Sequence, residues 1–159
     1  MKGCKQMTKT ELRNYHKQIT GGDLSNTSKM PSKSFNLSAL HCITGSKLAN
    51  TKGSVCDGCY ALKGNYARYK LIDKMIPKTE KINNPEWVDS MVWLIKNQDN
   101  KKDNKYFRWH DSGDLQGIDH LKKIVEICDL TPEVKHWLPT REYKIITDYI
   151  NKYGDLPKN

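Results

Sequence analysis

Apolar residues recur at intervals of three and four in several stretches of the chain, which is the spacing of a helix with one buried face. On this pattern we expect five helices, over residues 8–18, 60–70, 84–98, 118–128 and 141–154. Thr8 or Thr10 is the expected N-cap of the first. In the last, the residues expected to face inward are Ile145, Ile146, Tyr149 and Ile150.

Three other stretches have the pattern of short strands. Residues 34–40 alternate apolar and polar positions, residues 105–110 are rich in aromatics, and residues 133–139 stop at a proline. Each is followed by a loop and a helical segment, an alternation that predicts parallel strands joined by right-handed crossovers. The expected fold class is therefore α/β, as a partial (β/α) barrel or an open parallel sheet. Polar residues after the strands should then meet at one edge.

The length of 159 residues is typical of one domain. We expect an N-terminal arm or short helix over residues 1–19 and a single α/β domain over residues 20–159. No apolar run approaches the ~20 residues of a membrane span, and the N-terminal segment lacks an apolar signal core. We therefore expect a cytoplasmic protein with no membrane partner. The net charge of +9 permits nucleic acid as a partner, but the lysines are scattered and identify none.

The five cysteines are an odd number, and in a reducing compartment they are more often thiols or metal ligands than disulfides. Cys56 and Cys59 are separated by two residues with an Asp–Gly turn between them, and Cys42 precedes Cys56 by 13 intervening residues. This spacing lets three thiolates reach one metal centre. Cys128 falls on the apolar face of a predicted helix and is expected in the core, and Cys4 is not expected to be a ligand.

Several chemistries fit three such thiols. Structural zinc needs four ligands, so His41 or His110 would complete the site. An iron–sulfur cluster held by three cysteines leaves one iron open to a cofactor or substrate. Cys56 and Cys59 could instead form a redox pair, or the thiols could be incidental. The residue pattern leaves zinc and the cluster as alternatives.

Two polar motifs follow the second and third predicted strands. The first is RWHDSGDL, residues 108–115, which concentrates His110, Asp111 and Asp114 where burial would be costly unless they serve a ligand or one another. Asp114 could also cap the following helix. The second is LPTRE, residues 138–142, in which Arg141 could pair with Asp111 or hold a carboxylate or phosphate, and in which Thr140 could cap a helix.

Longer blocks carry a resemblance. TGGDLSNTSKMPSKSFNLSALHC, GSVCDGCYALKGNY, FRWHDSGDL and HWLPTREY resemble the phage gene product 88 family over residues 20–158. The order of GCYA, HDSGDL and LPTRE is also similar to a phage family built on the radical S-adenosylmethionine scaffold. That resemblance implies a 4Fe-4S cluster on Cys42, Cys56 and Cys59 at the mouth of a partial barrel, with S-adenosylmethionine as the cofactor.

The polar residues have expected roles from their positions at the strand ends, and the resemblance adds one for Tyr60. The expected cofactor-binding residues are Tyr60, Asp111, Ser112, Asp114 and Arg141, with the tyrosine ring against the adenine. The expected catalytic residues are His110, Asp111 and Arg141. The sequence departs from that scaffold in two ways: 13 residues rather than three separate the first two cysteines, and the chain ends where a fourth strand would begin. We therefore expect a truncated or split member that is completed by self-association or by a partner.

The sequence thus predicts a phage-type protein that binds an iron–sulfur cluster or another metal through three cysteines. Radical S-adenosylmethionine-like chemistry on an unknown substrate is the implied activity. The alternative is a non-catalytic, zinc-stabilised module that binds nucleic acid or a host protein, with an affinity that falls steeply with salt.

Overall fold

A computed structural model of the protein describes residues 6–28, 30–98 and 105–159. Within these residues three short strands form one sheet: β1 (Ser34–Phe35), β2 (Tyr106–Trp109) and β3 (Lys135–Trp137). The order is β1-β2-β3, and both neighbouring pairs are parallel. The predicted α/β class and parallel sheet are confirmed. The sheet is open, and the described residues do not show a barrel.

Seven α-helices surround this sheet in the described parts of the chain. They are α1 (Lys9–Thr20), α2 (Ile43–Leu48), α3 (Gly64–Arg68), α4 (Leu71–Glu80), α5 (Trp87–Lys96), α6 (Ile118–Leu130) and α7 (Tyr143–Tyr153). Thr8 is the N-cap of α1: its hydroxyl accepts from the Glu11 amide at 3.2 Å, and the Glu11 carboxylate accepts from the Thr8 amide at 2.7 Å. This reciprocal pair is a capping box. The predicted first helix and its cap are therefore confirmed.

The core lies between one face of the sheet and helices α5 and α6. Phe35, Phe107 and Trp109 point to this face and are fully buried. The Trp87 ring of α5 packs edge-on against Phe35, with centroids 6.0 Å apart. Cys128 of α6 belongs to this core, as predicted. The helices expected from apolar spacing over residues 84–98, 118–128 and 141–154 form because each buries one apolar face here.

Three local predictions were wrong. The strand predicted over residues 34–40 ends at Phe35, because the chain then leaves the sheet and forms a 3₁₀ turn over Ala39–His41. The helix predicted over residues 60–70 is split into a 3₁₀ turn at Tyr60–Leu62 and the short α3, and α4 follows it. Ile150 of α7 is 40% exposed rather than inward.

The open face of the sheet and its carboxyl edge position the site. Because strand residues alternate between faces, Arg108 and Trp137, which are register partners, point away from the core. The His110 amide donates to the Phe35 carbonyl at 2.8 Å, so the segment after β2 lies directly beside the end of β1. In the part of the chain that the structure describes, no helix combines the length and apolar character needed to cross a membrane.

Candidate thiolate cleft

A cleft of about 430 Å³ opens at the carboxyl edge of the sheet. Its walls come from the segments that follow β1, β2 and β3, together with the loop that carries Cys56 and Cys59. The first two segments are held together where the Leu37 amide donates to the Ser112 carbonyl at 2.9 Å. Gly113, with φ +78°, packs so closely there that a Cβ would lie 2.6 Å from Leu37 Cβ. Only glycine fits this approach without strain.

All three predicted metal-binding cysteines line this one cleft. Cys42 stands between the 3₁₀ turn after β1 and the start of α2. Cys56 and Cys59 are joined by a tight turn in which the Cys59 amide donates to the Cys56 carbonyl at 3.1 Å. A Cβ placed on Gly45 would lie 3.7 Å from the sulfurs of both Cys42 and Cys56, so those sulfurs are no further apart than twice that distance. The chain therefore gathers the thiols and keeps the space beside them free of a side chain.

Burial and the neighbouring thiols raise the pKa values of two of the cleft cysteines. Burial, followed by the nearby Asp114, Cys59 and Cys56, raises the pKa of Cys42 to about 12. Burial, followed by the nearby Cys59 thiol, also raises the pKa of Cys56. Within residues 6–28, 30–98 and 105–159, no group of three or more His, Cys, Asp or Glu side chains is arranged to hold a single metal ion.

Asp114 fastens two walls of the cleft to each other. Its carboxylate accepts from the Arg141 amide at 2.8 Å, from the Leu115 amide at 2.8 Å and from the Thr140 hydroxyl. It does not cap α6, whose N-cap is Gly117, so that alternative for Asp114 was wrong. Thr140 is likewise no helix N-cap, because α7 begins after Glu142. Both residues instead position the backbone of Arg141 at the cleft.

Asp111 lies behind the cleft wall rather than in it. Its carboxylate accepts from the Ser34 hydroxyl at 2.6 Å and from the Tyr66 hydroxyl at 3.4 Å, and its carbonyl accepts from the Tyr60 hydroxyl. The proposed Asp111–Arg141 pair does not form, since the Arg141 guanidinium donates to the Tyr143 hydroxyl at 2.7 Å. Asp111 therefore positions Tyr60, which lines the cleft together with Ser112.

His110 is the polar side chain most open to a new partner. It lines the cleft, is only 3% exposed, and neither ring nitrogen has a hydrogen-bond partner among the described residues. Burial, with a smaller effect of Arg108, lowers its pKa to about 3, so the ring is neutral at physiological pH. Its backbone is left-handed, with φ +55°, which is uncommon outside glycine and concentrates at functional sites. A neutral imidazole can both donate to and accept from a ligand.

Two guanidinium groups complete the cleft. Arg108 and Arg141 both line it, and neither forms an ion pair with a residue in the described ranges. The Arg108 guanidinium lies 4.8 Å from the Trp137 ring centroid, and its Nε is buried without a hydrogen-bond partner among the described residues. Guanidinium groups bind carboxylates and phosphates in a bidentate manner. The cleft is therefore suited to a ligand with an anionic group.

Some supporting contacts had no signal in the sequence. The Glu142 carboxylate accepts from the Thr44 amide at 2.7 Å and from the Thr44 hydroxyl at 2.8 Å, and so fixes α2, next to Cys42, to the start of α7. Lys78 is buried, donates to Asn36 Oδ1 at 2.6 Å, and has its pKa lowered to about 8 by burial. His41 is exposed and does not line the cleft, and Cys4 lies outside the described residues.

The fold and the cleft define a small α/β protein with three thiols at the carboxyl edge of a parallel sheet. The family model described as gene product 88 matches residues 3–159, and the chain belongs to that family. This confirms the family predicted from the sequence, while the resemblance to radical S-adenosylmethionine proteins stays a prediction. No curated protein matches the chain. No solved structure matches it either.

Proposed function

We propose that the protein holds an iron–sulfur cluster on Cys42, Cys56 and Cys59 and uses the adjoining cleft for one-electron chemistry on a bound ligand. One observation carries this proposal. Three thiols from two separate segments converge on a single cleft that also contains an unpartnered buried histidine and two arginines without ion pairs in the described residues. S-adenosylmethionine is the candidate cofactor, and the substrate is a further ligand of the same cleft.

The donor set is one that such a cluster uses. Thiolates hold iron–sulfur clusters, and three protein ligands leave one iron free for a ligand from the cleft. A structural zinc ion would need a fourth ligand besides the three cysteines. When bound and reduced by an external one-electron donor, the cluster would supply one electron to a ligand beside it.

The chain's own residues would bind and orient that ligand. The amine and carboxylate of S-adenosylmethionine need hydrogen-bonding groups and a cation, and the guanidinium of Arg141 supplies a cation at the cleft. His110, held neutral by burial, donates or accepts one hydrogen bond without adding charge. The Tyr60 ring, which is 61% exposed at the cleft wall, offers a face for an adenine to stack on.

Two variants separate the metal site from the rest of the fold. Cys56→Ser removes one cleft thiol, and Cys128→Ser alters a buried core cysteine outside the cleft. After anaerobic purification and iron–sulfide reconstitution, we expect Cys56→Ser to lose most of the iron bound by the wild type and Cys128→Ser to retain it. Equal iron contents in the two variants would contradict the assignment of the ligands.

Ligand binding is tested separately. In equilibrium dialysis of the reconstituted protein with labelled S-adenosylmethionine, we expect Arg141→Gln to weaken binding at least about tenfold, as loss of a charge-assisted contact would. The control is Arg68→Gln, an exposed arginine of α3 that does not line the cleft. No binding to reconstituted wild-type protein would exclude S-adenosylmethionine and leave the cluster assignment to the iron analysis. One zinc and no iron would favour the zinc-stabilised binding module instead.

A further inference from the structure

The face of the sheet that points away from the core has an alternating chemistry. The parallel register places Tyr106 beside Lys135 and Arg108 beside Trp137. Register partners in adjacent strands point to the same face, so these four side chains form a two-by-two array of aromatic and cationic groups. Tyr106 is 46% exposed and Trp137 is 52% exposed. We call this array the open face.

The open face differs sharply from the other side of the sheet. The strand residues on the core side, Phe107 and Trp109, are almost fully buried. On the open face, the Arg108 guanidinium lies 4.8 Å from the centroid of the Trp137 ring, which orders both groups. Neither Arg108 nor Lys135 has an ion pair with another described residue, and β2 and β3 contain no acidic side chain.

We propose that the open face binds single-stranded nucleic acid. Bases would stack on Tyr106 and Trp137, while Lys135 and Arg108 would contact the phosphates that run between them. Exposed aromatic rings interleaved with cations are the arrangement that binds single strands without reading their sequence, because every base has a face to stack. The net charge of +9 adds long-range attraction for a polyanion.

Charge and ring exposure together favour this occupant over two others. A second copy of the chain would bring a second Arg108 and a second Lys135 into the same interface, and β2 and β3 have no acidic side chain to pair with them. A duplex keeps its bases stacked inside and offers no ring faces to Tyr106 or Trp137. A single strand satisfies both the exposed rings and the cations.

Arg108 also lines the thiolate cleft, so the open face and the cleft are continuous. A strand bound on the open face would pass the mouth of the cleft. If the proposed cluster acts on a substrate, the position of the bound strand indicates that the substrate is a nucleic acid. This statement about the substrate rests on the proposed function. Binding to the open face itself does not depend on the cluster, so the two proposals can fail independently.

The test uses fluorescence anisotropy of a labelled 12-nucleotide oligothymidine with the full chain. The variant Tyr106→Ala/Lys135→Gln removes one aromatic ring and one cation from the open face. The control Lys152→Gln/Tyr153→Ala makes the same chemical changes in a pair at the end of α7, where the ammonium lies 5.3 Å from the ring centroid and the tyrosine is 44% exposed. Both variants lower the net charge equally.

We expect the open-face variant to bind at least about fivefold more weakly than the wild type, since one stacked base is worth a factor of this size or more. We expect its slope of log affinity against log salt to become shallower by about 0.7, as one lost phosphate contact predicts. The control should bind within about twofold of the wild type. The wild type should bind the oligothymidine equally before and after iron–sulfide reconstitution, so this test does not depend on the cluster assignment.

Several results would overturn the proposal. Equal losses in the two double variants would show that only net charge matters. Equal affinity for single strands and for duplex of the same length would exclude base stacking. A wild-type dimer in sedimentation velocity that becomes monomeric in the Trp137→Ala variant would show that a second copy covers the open face. Circular dichroism of each variant confirms that the comparison is made between folded proteins.

Discussion

Asp114 is the residue on which the geometry of the cleft depends most clearly. In the Asp114→Asn variant one carboxylate oxygen becomes an amide NH₂, which cannot accept a hydrogen bond. The Arg141 amide, now 2.8 Å from Asp114 Oδ2, would face another donor. Because Asp114 is only 7% exposed, water cannot readily replace the lost acceptor. The substitution changes almost no volume, so the effect reports the loss of one acceptor and of the negative charge.

The expected cost follows from the bonds lost. A hydrogen bond to a charged group contributes about 1.5 to 3 kcal/mol, and an unsatisfied buried donor adds to its loss. We therefore expect Asp114→Asn to lower the free energy of unfolding by about 2 to 3 kcal/mol, which for a chain of this length lowers Tm by roughly 4 to 12 °C. The assay is thermal unfolding followed by circular dichroism at pH 7.

A matched control makes the result specific. Asp119→Asn is the same chemical change in the first turn of α6, but its side chain is 81% exposed and, among the described residues, pairs with Lys122. We expect this variant to lie within about 0.5 kcal/mol of the wild type. Hydrogen exchange at the Arg141 amide should accelerate in Asp114→Asn and remain slow in Asp119→Asn. Equal stabilities of the two variants would refute the role assigned to Asp114.

Three further predictions concern other contacts. Gly113→Ala and Gly53→Ala both place a side chain at positive φ, which costs about 1 kcal/mol. At Gly113 the new Cβ would also lie 2.6 Å from Leu37 Cβ, whereas at Gly53 it meets nothing within 4 Å. Urea titration should therefore show Gly113→Ala to be less stable than Gly53→Ala by about 1 to 3 kcal/mol. Thr44→Val leaves the buried Glu142 carboxylate without its hydroxyl donor and should lower the free energy of unfolding by about 1 to 3 kcal/mol in the same assay. The control, Thr147→Val at an exposed position of α7, should lower it by less than about 0.5 kcal/mol. Burial lowers the pKa of His136 to about 4, so the free energy of unfolding should fall as the pH decreases from about 6.5 to 4. His136→Phe should reduce that fall by up to roughly 3 kcal/mol.

Each of these predictions has a clear opposite result. Equal costs at the two glycines would mean that the segment after β2 moves away freely. Equal costs of the two threonine variants would mean that the contact between α2 and the start of α7 contributes little. An unchanged dependence of stability on pH after replacement of His136 would mean that this imidazole protonates as readily in the folded chain as in the unfolded chain.

The helices and the position of the site could be predicted from local pattern. In α5 and α6 the apolar residues repeat with helical spacing, and burial of that face against Phe35 and Trp109 determines the structure. Parallel strands align their carboxyl ends at one edge. The motifs after each strand, including Cys42 and His110, were therefore expected to meet, and they line one cleft.

Side-chain roles could not be predicted in the same way, because they depend on contacts distant in sequence. Asp114 before a helix has the local pattern of a cap, yet its partners Thr140 and Arg141 come from the next strand's loop. Asp111 looked like a ligand-binding residue, but its carboxylate is taken by Ser34, which lies 77 residues earlier in the chain. The length of the first strand was predicted wrongly for a related reason. Leu37 is buried although it lies beyond the end of β1, so the alternation of apolar and polar residues continues past the strand.

The central claim is the proposal that Cys42, Cys56 and Cys59 hold an iron–sulfur cluster. The most direct measurement is the iron, sulfide and zinc content of protein purified and reconstituted without oxygen, together with its absorption spectrum. We predict about four irons and four labile sulfides per chain, with a broad charge-transfer band that dithionite bleaches. Stoichiometric zinc with no bound iron, in protein that is fully folded, would contradict the account.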